Sequence, residues 1–354
     1  MSPLGPLLIV GASGRAAATS AIRAGYQPFV IDLFADEDTK RLCPVLKCPL
    51  DQYPHGFIEL LKQAPPGPWM YTGGLENYAE VVEEISHSRP LRGNGPDVLQ
   101  RVRDPFHLAE ICRQCGIAFP SLVPNSHSTK KWLQKSRRSS GGLGVRDWDG
   151  NESLNAEEYR QEFIPGEPMS AIFDSSRLLG VTRQLIGEPW LHAKPYGYCG
   201  NIVRRASSLA EPLQVIGQRF IRHFGLCDIW GIDFIERDQQ PVVVEINPRY
   251  TASLEVLQFG KRNETTIGKA IYFAAQTFTF PASGPWQDSL DHCTDVWLRP
   301  DFADIPAPGA HIDKGQPVLT ILDEAESEVV LIEQLKSRAA ELDKIFNVAT
   351  EPQS

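Results

Sequence analysis

No stretch of this sequence holds enough consecutive apolar residues to span a bilayer, and its opening, MSPLGPLLIVGASGR, lacks both the basic region and the longer apolar core of a secretory signal. A membrane is therefore not an expected partner, and the cytoplasm is the expected compartment. Positive charge is also short. With a net charge of -9 and a pI near 5.5, the surface has no footprint for nucleic acid, so any phosphate chemistry must use a local basic pocket. Seven cysteines, an odd number scattered along the chain, make no disulfide framework and fit a reducing compartment. Cys112 and Cys115 form a C-x-x-C on a helical pattern, but no second pair completes a zinc site, and core packing is the favoured reading over redox. Signature motifs are missing too. Gly11 and Gly14 give G-x-x-G instead of the dinucleotide fingerprint G-x-G-x-x-G, no G-x-x-x-x-G-K-[ST] occurs, and the H-R-D and D-F-G of protein kinases are absent.

What is present is an ordinary globular composition: 354 residues at 42% hydrophobic, enough for a sizeable core in two or three domains. Residues 1–97 open with PLLIVGASGRAAATSAIRAGYQPFVID, an apolar strand, a small-residue turn, an Ala-rich helix ending at Gly25, and a second strand. That βαβ order implies a parallel sheet, with Asp32 and the turn YTGGLENY at its carboxyl rim. Glu76 and Asn77 in that turn are candidates either for substrate contact or for helix capping.

From 98 to 275 the texture changes. DPFHLAEICRQCGIAF is an amphipathic helix opened by Asp-Pro, and WLQKSRRSSGGLGVRDWD reads as a hairpin: a strand from Trp132 to Lys135, a Gly-rich loop from Ser139 to Gly144, and a returning strand from Val145 to Trp148. Glycines let backbone N–H groups close on phosphate oxygens, and Lys135, Arg137 and Arg138 add charge beside them. A second hairpin, GIDFIERDQQPVVVEINPR, carries Glu245 and Asn247 on one strand face, since residues two apart share a face. Asp233 lies on the partner strand. To share that face it needs either an odd-numbered loop or a bulge that shifts the register. Two carboxylates and an amide oxygen then make a hard, all-oxygen set suited to Mg2+ (or Mn2+), with Arg249 just beyond to grip a phosphate or carboxylate oxygen bidentately.

These ordered segments resemble the ATP-grasp superfamily of carboxylate–amine ligases. The resemblance covers about 98 to 260. It implies an α/β (α+β) ATP-grasp fold preceded by an open parallel α/β domain, and it implies ATP as nucleotide. Arg103 is similar to the first phosphate-binding basic residue and Lys135 to the second. SSGGLGV, with Ser140, Gly141, Gly142 and Gly144, resembles the loop that closes over the triphosphate. YRQEFIPGEPMS resembles the hinge that receives adenine, with Glu162, Phe163 and Ile164 at the base and Glu167 as a ribose contact, although the acid many members place before the next strand falls at Pro168 here. Asp233, Glu245 and Asn247 match the metal set and Arg249 the residue that helps hold an acyl phosphate, so Lys135 and Arg249 are the implied catalytic residues.

Residues 276–354, with DIPAPGAHIDKGQPVLTIL and the amphipathic EQLKSRAAELDKIF, read as a small β-rich appendage and a closing helix. With YTGGLENY and LFADEDT, this pattern also resembles a narrower subset, the tyramine–glutamate ligase-like enzymes linked to methanofuran and tetrahydromethanopterin biosynthesis. The resemblance implies a small-molecule carboxylate, activated by ATP as an acyl phosphate, and a small-molecule amine that displaces phosphate. It leaves a homodimer open. Arg183, Gln184, His192, Lys194, Tyr196 and Tyr198, in a polar and aromatic run, are expected to line the substrate site. Alternatives are a biotin-carboxylase-like or kinase-like enzyme on the same scaffold, or a non-catalytic nucleotide-binding module.

Overall fold

In the computed structural model, which describes residues 4–123, 130–150, 153–204, 208–259 and 265–346, the apolar run LLIV lies in β1 (Pro6–Val10) at the centre of a parallel sheet. Around it come α1 (Arg15–Arg23), β2 (Gln27–Asp32), α2 (Glu37–Leu42), β3 (Val45–Lys47), α3 (Gly56–Leu60), β4 (Trp69–Tyr71) and α4 (Ala79–Ser88). The strand order is β3-β2-β1-β4, all parallel. Helices on both faces explain why β1 and β2 are apolar without alternation. The turn after β1 is shaped by Asp32. Its carboxylate accepts from the N–H of Gly14 at 2.9 Å, of Ala35 at 2.8 Å and of Phe34 at 3.1 Å, so this acid builds the rim of the sheet.

The chain then passes through α5 (Pro96–Arg103) and α6 (Pro105–Gln114), whose N-cap Asp104 accepts from the N–H of Phe106 and His107. Cys112, on the inner face of α6, is fully buried, as a core residue would be. Next come β5 (Trp132–Ser136), β6 (Arg146–Asp147) and β7 (Glu158–Glu162), which form a small antiparallel sheet ordered β6-β5-β7. There follow β8 (Glu167–Asp174), β9 (Arg177–Ile186), β10 (Tyr198–Arg204), α7 (Ala210–Phe224), β11 (Ile229–Arg237), β12 (Gln240–Asn247), α8 (Ser253–Phe259) and β13 (Thr266–Phe273). α7 covers one face of this sheet. Phe173 stacks on Trp230 with ring centroids 4.3 Å apart, and α7 approaches so closely that a Cβ on Gly217 would stand 2.4 Å from the Phe173 ring.

The last stretch holds β14 (Phe278–Thr279), α9 (Gln287–His292), β15 (Phe302–Ala303), β16 (His311–Ile312), β17 (Pro317–Ala325) and α10 (Glu328–Ile345). It does not stand apart as an appendage. β17 pairs with β13 and β15 with β17, extending one eight-stranded sheet in the order β12-β11-β8-β9-β10-β13-β17-β15. The reason lies in β17 itself. Val318 to Asp323 are consecutively buried, and a strand covered on both faces needs the hydrogen-bonding neighbour and the helix cover that β13 and α10 supply.

A buried ion network joins this sheet to the amino-terminal unit. Arg15, at the start of α1, pairs with Asp304 at 2.7 Å, Glu255 at 2.7 Å and Asp38 at 3.5 Å, and Lys269 on β13 reaches Glu255 at 3.1 Å.

Candidate active site

A cavity of about 1650 Å³ opens between the rim of the parallel sheet, the small sheet, and the inner ends of β11, β12, β13 and β17. The hairpin of β11 and β12 sets its chemistry. Its turn has only two residues, Asp238 and Gln239, both with positive φ, at 52° and 59°, a geometry that matches strand twist. That even count would pair Asp233 with Val244. Instead a bulge falls between the pairs Asp233–Glu245 and Phe234–Val243, leaving Val244 as the extra residue and setting the two carboxylates directly across from each other on one face. The register condition read from the sequence is met by the bulge, not by the loop. Asn247 joins them, its amide donating to Asp233 Oδ2 at 2.9 Å, and Gln184 donates to Asp233 Oδ1 at 3.0 Å.

The electrostatics follow from this crowding. Burial, and then the Glu245 charge, push the Asp233 carboxyl up to about 6, despite hydrogen bonds from Ser170 and Asn247. Glu245 goes the other way: burial opposes ionisation, but Arg103 and Lys135 outweigh it and hold its carboxyl below the usual range. Arg103 donates to Glu245, to Asn77 Oδ1 at 2.8 Å and to the Ser139 carbonyl at 2.9 Å. Lys135 donates to Gln161 at 2.7 Å, and burial lowers its pKa against the pull of Glu245 and Asp233. Arg249 is clamped. It donates to Glu76 at 2.9 Å, to the Tyr250 carbonyl at 3.1 Å and to Asn247 Oδ1 at 3.2 Å. Glu76 and Asn77 thus hold the two arginines from across the domain junction and cap no helix.

The Gly-rich loop lies folded over the cavity. Gly141, Gly142 and Gly144 have φ of 63°, 76° and 78°, the left-handed region, and the Gly141 carbonyl accepts from Tyr198 N–H at 3.0 Å. A Cβ on Gly142 would stand 1.9 Å from the Tyr196 carbonyl oxygen, so only glycine allows this approach. Ser140 borders the cavity beside them. At the hinge, Glu162, Phe163 and Ile164 border the cavity; Phe163 N–H donates to the Lys131 carbonyl at 2.9 Å, and Glu162 pairs with Lys130 at 2.7 Å.

Three expected residues lie elsewhere. Glu167 is the first residue of β8, where Pro168 and Ser170 face the cavity; alternation turns Glu167 to the opposite side, against Arg183 at 3.3 Å and Arg204. Arg183 belongs to that same cluster, with Glu328. His192 is bound to Asp343 at 2.7 Å and packs edge-on against Tyr272, anchoring α10. Gln184, Lys194, Tyr196 and Tyr198 of the same run do border the cavity. Gln161, Ser170, Arg15 and Asp36 border it as well; they lie within YRQEFIPGEPMS, GASGR and LFADEDT, but nothing in those stretches marked them as site residues.

The donor set suits a hard divalent cation. Two carboxylates face one another across the hairpin, a repulsion that a bound divalent cation relieves, with the Asn247 amide beside them, its nitrogen now on Asp233 and its oxygen on Arg249.

Residues 102–253 match the family model for an ATP-grasp domain. An uncharacterized protein of Methanocaldococcus jannaschii is 22% identical, the match covering 71% of this chain and 68% of that protein. Among solved structures, the chain is similar to the biotin carboxylase domain dimer of a Hydrogenobacter thermophilus 2-oxoglutarate carboxylase in complex with MgADP, ADP and bicarbonate, at TM-score 0.68 and 12% identity over 94% of this chain and 88% of that one. It is also similar to an ADP complex of N5-carboxyaminoimidazole synthetase from Staphylococcus aureus, at TM-score 0.64 and 13% identity over 96% and 98%. An L-amino acid ligase from Bacillus licheniformis gives TM-score 0.63 and 16% identity over 97% and 98%. At these identities the likeness is one of fold.

Proposed function

This chain carries an ATP-grasp domain, residues 102–253, and from that premise we propose that it is an ATP-dependent carboxylate–amine ligase acting through an acyl phosphate. The observation that carries the reading is the convergence on one cavity of Lys135, the folded Gly-rich loop, the hinge at Glu162 to Ile164, and the facing Asp233 and Glu245 with Asn247 and Arg249. In this reading a substrate carboxylate oxygen bonds to the γ-phosphorus as the bond to ADP breaks. The amine nitrogen then bonds to the acyl carbon, phosphate leaves, and the amine gives up a proton.

Such chemistry needs positioning and charge neutralisation more than covalent help from the protein. Lys135 and Arg103 supply positive charge toward the phosphates; burial lowers the basicity of Lys135, and the Glu245 and Asp233 charges oppose that lowering. Arg249, already oriented by Glu76 and Asn247, presents a guanidinium to the transferring group. Asp233, Glu245 and Asn247 would hold Mg2+ (or Mn2+), whose charge screens the phosphate oxygens. Arg103 then gives up its contact with Glu245 to the phosphates. The Gly-rich loop excludes water that would hydrolyse the acyl phosphate.

A carboxylating reaction is the second reading, favoured by the fold shared with a biotin carboxylase domain. The test is Mg-ATP-dependent phosphate release against a panel of carboxylates and amines, with mass spectrometry of the products. An amide formed with ADP supports the ligase. Release that depends on bicarbonate supports the second reading, and a phosphorylated product without amide rejects both.

A further inference from the structure

At the end of the cavity under the parallel sheet, the charges do not balance. Two cations, Arg15 and Lys269, sit among four carboxylates: Asp36 and Asp304 border the cavity, and Asp38 and Glu255 lie behind them. Three of the acids are committed. Asp304 binds Arg15 and the Thr320 hydroxyl; Asp38 accepts from the N–H of Thr39, Asp304 and Ile305; Glu255 pairs with Arg15 and Lys269. Asp36 is the exception. It is only 7% exposed and borders the cavity, yet its carboxylate has no hydrogen bond or ion pair among the described residues. It stands at the N-cap of α2, where an aspartate normally accepts from the first turn, and makes no such bond. Two lysines lie on the same wall: Lys40 is held by Glu37 at 2.7 Å, and Lys47 makes no ion pair with Asp36.

A buried carboxylate without a partner is costly unless something arrives to pair with it. Burial, and then the neighbouring Asp38, Asp304 and Asp32, push the Asp36 carboxyl well up against the opposing pull of Arg15. A divalent metal is a poor candidate, because it needs several oxygens and only one carboxylate here is uncommitted. An ammonium needs one carboxylate and fills its other donors with carbonyls or water. The wall that holds Asp36 carries apolar side chains, Leu33, Phe34 and Leu46, along with Lys40 and Lys47.

We propose that the substrate seated at this corner carries a protonated primary amine on an apolar stem, and that Asp36 is its binding partner. This rests on the ligase reading for what becomes of the amine, but not for its binding. The test is calorimetric titration, at millimolar ligand, of n-hexylamine and of its neutral counterpart hexan-1-ol into the wild-type chain, Asp36→Asn and Asp36→Glu, with ADP titrated into each as a control for folding. Hexylamine is expected to bind the wild type saturably, the alcohol and the Asn variant to lose about tenfold or more, the value of one charge-assisted hydrogen bond, and the Glu variant to keep the preference for the amine. ADP affinity stays within about twofold throughout, since Asp36 shares no hydrogen bond or ion pair with Arg103 or Lys135 among the described residues. Equal hexylamine affinity in the Asn variant, or no saturable binding to the wild type, overturns the proposal. Amide formation assayed separately distinguishes the two claims: binding as expected without any amide product sinks the ligase reading alone, whereas amide synthesis with an amine KM unmoved by Asp36→Asn sinks the ammonium site alone.

Discussion

Glu245 is the residue on which most of the site depends. It faces Asp233, holds Arg103, and helps keep Lys135 charged. Glu245→Gln keeps the shape and removes the charge. It is expected to lower kcat by about a hundredfold or more, near 3 kcal/mol in barrier, and to weaken Mg2+-dependent ADP binding while the circular dichroism spectrum is unchanged; wild-type turnover in this variant would reject the metal assignment. Asp233 gives a pH prediction. Its carboxyl, about 6 in the folded protein, lies above its ordinary value of 3.8, so the metal-free fold binds this proton more tightly than the unfolded chain does. The stability it contributes is therefore present at low pH and lost as pH rises through about 6. Urea unfolding in EDTA should show Asp233→Asn gaining on the wild type between about pH 3.5 and 6.5, by at most about 3 kcal/mol. A parallel pH dependence of the two proteins would mean that Asp233 titrates normally. Mg2+ affinity should fall as pH drops below about 6, because protons and metal compete for the same oxygens.

At the scale of elements, two backbone features make the site. The bulge at Val244 sets Asp233 opposite Glu245, and the left-handed glycines let the loop after β5 lie against the strand entry at Tyr196 to Tyr198. Gly142→Ala puts a methyl where the Tyr196 carbonyl already sits, so the loop must lift. The expected result is a fall in kcat of about tenfold or more, with phosphate release uncoupled from product because water enters, and little change in global stability, since the strain is confined to the loop. Coupled turnover at the wild-type rate would show that the loop closes without this contact. Alternation also explains the miss at Glu167. The sequence marks it as an acid after the hinge, but the side of the sheet an acid faces depends on where the strand begins, and β8 begins at Glu167 itself.

At the scale of the whole molecule, the Arg15 network ties α1 and α2 to α8, β13 and the chain before β16, so the wall of the cavity and the joint between its two halves are the same set of charges. Arg15→Met leaves Asp304, Glu255 and Asp38 with one cation fewer in a buried place. A loss of about 3 kcal/mol or more is expected in urea unfolding, the scale for breaking a buried ion pair from one side; a loss below about 1 kcal/mol would mean that water reaches and screens the cluster.

The sequence by itself determined the elements and the chemical types. The βαβ order of the opening residues foretold the parallel sheet, the Asp-Pro start foretold α6, and a Gly-rich hairpin and a hairpin ending in EINPR carried the phosphate and metal chemistry, because hydrophobic period, turn residues and short-range spacing are local properties of the chain. Only the tertiary structure decided which carboxylates meet, that Arg103 rests on Glu245, that Glu76 and Asn77 hold the site arginines, that β17 completes the large sheet instead of an appendage, and that Asp36 stands buried near Asp304, 268 positions away, with no partner among the described residues. Those outcomes depend on burial and on charges brought together across long loops, and no window of local sequence records which distant side chain will share a cavity wall.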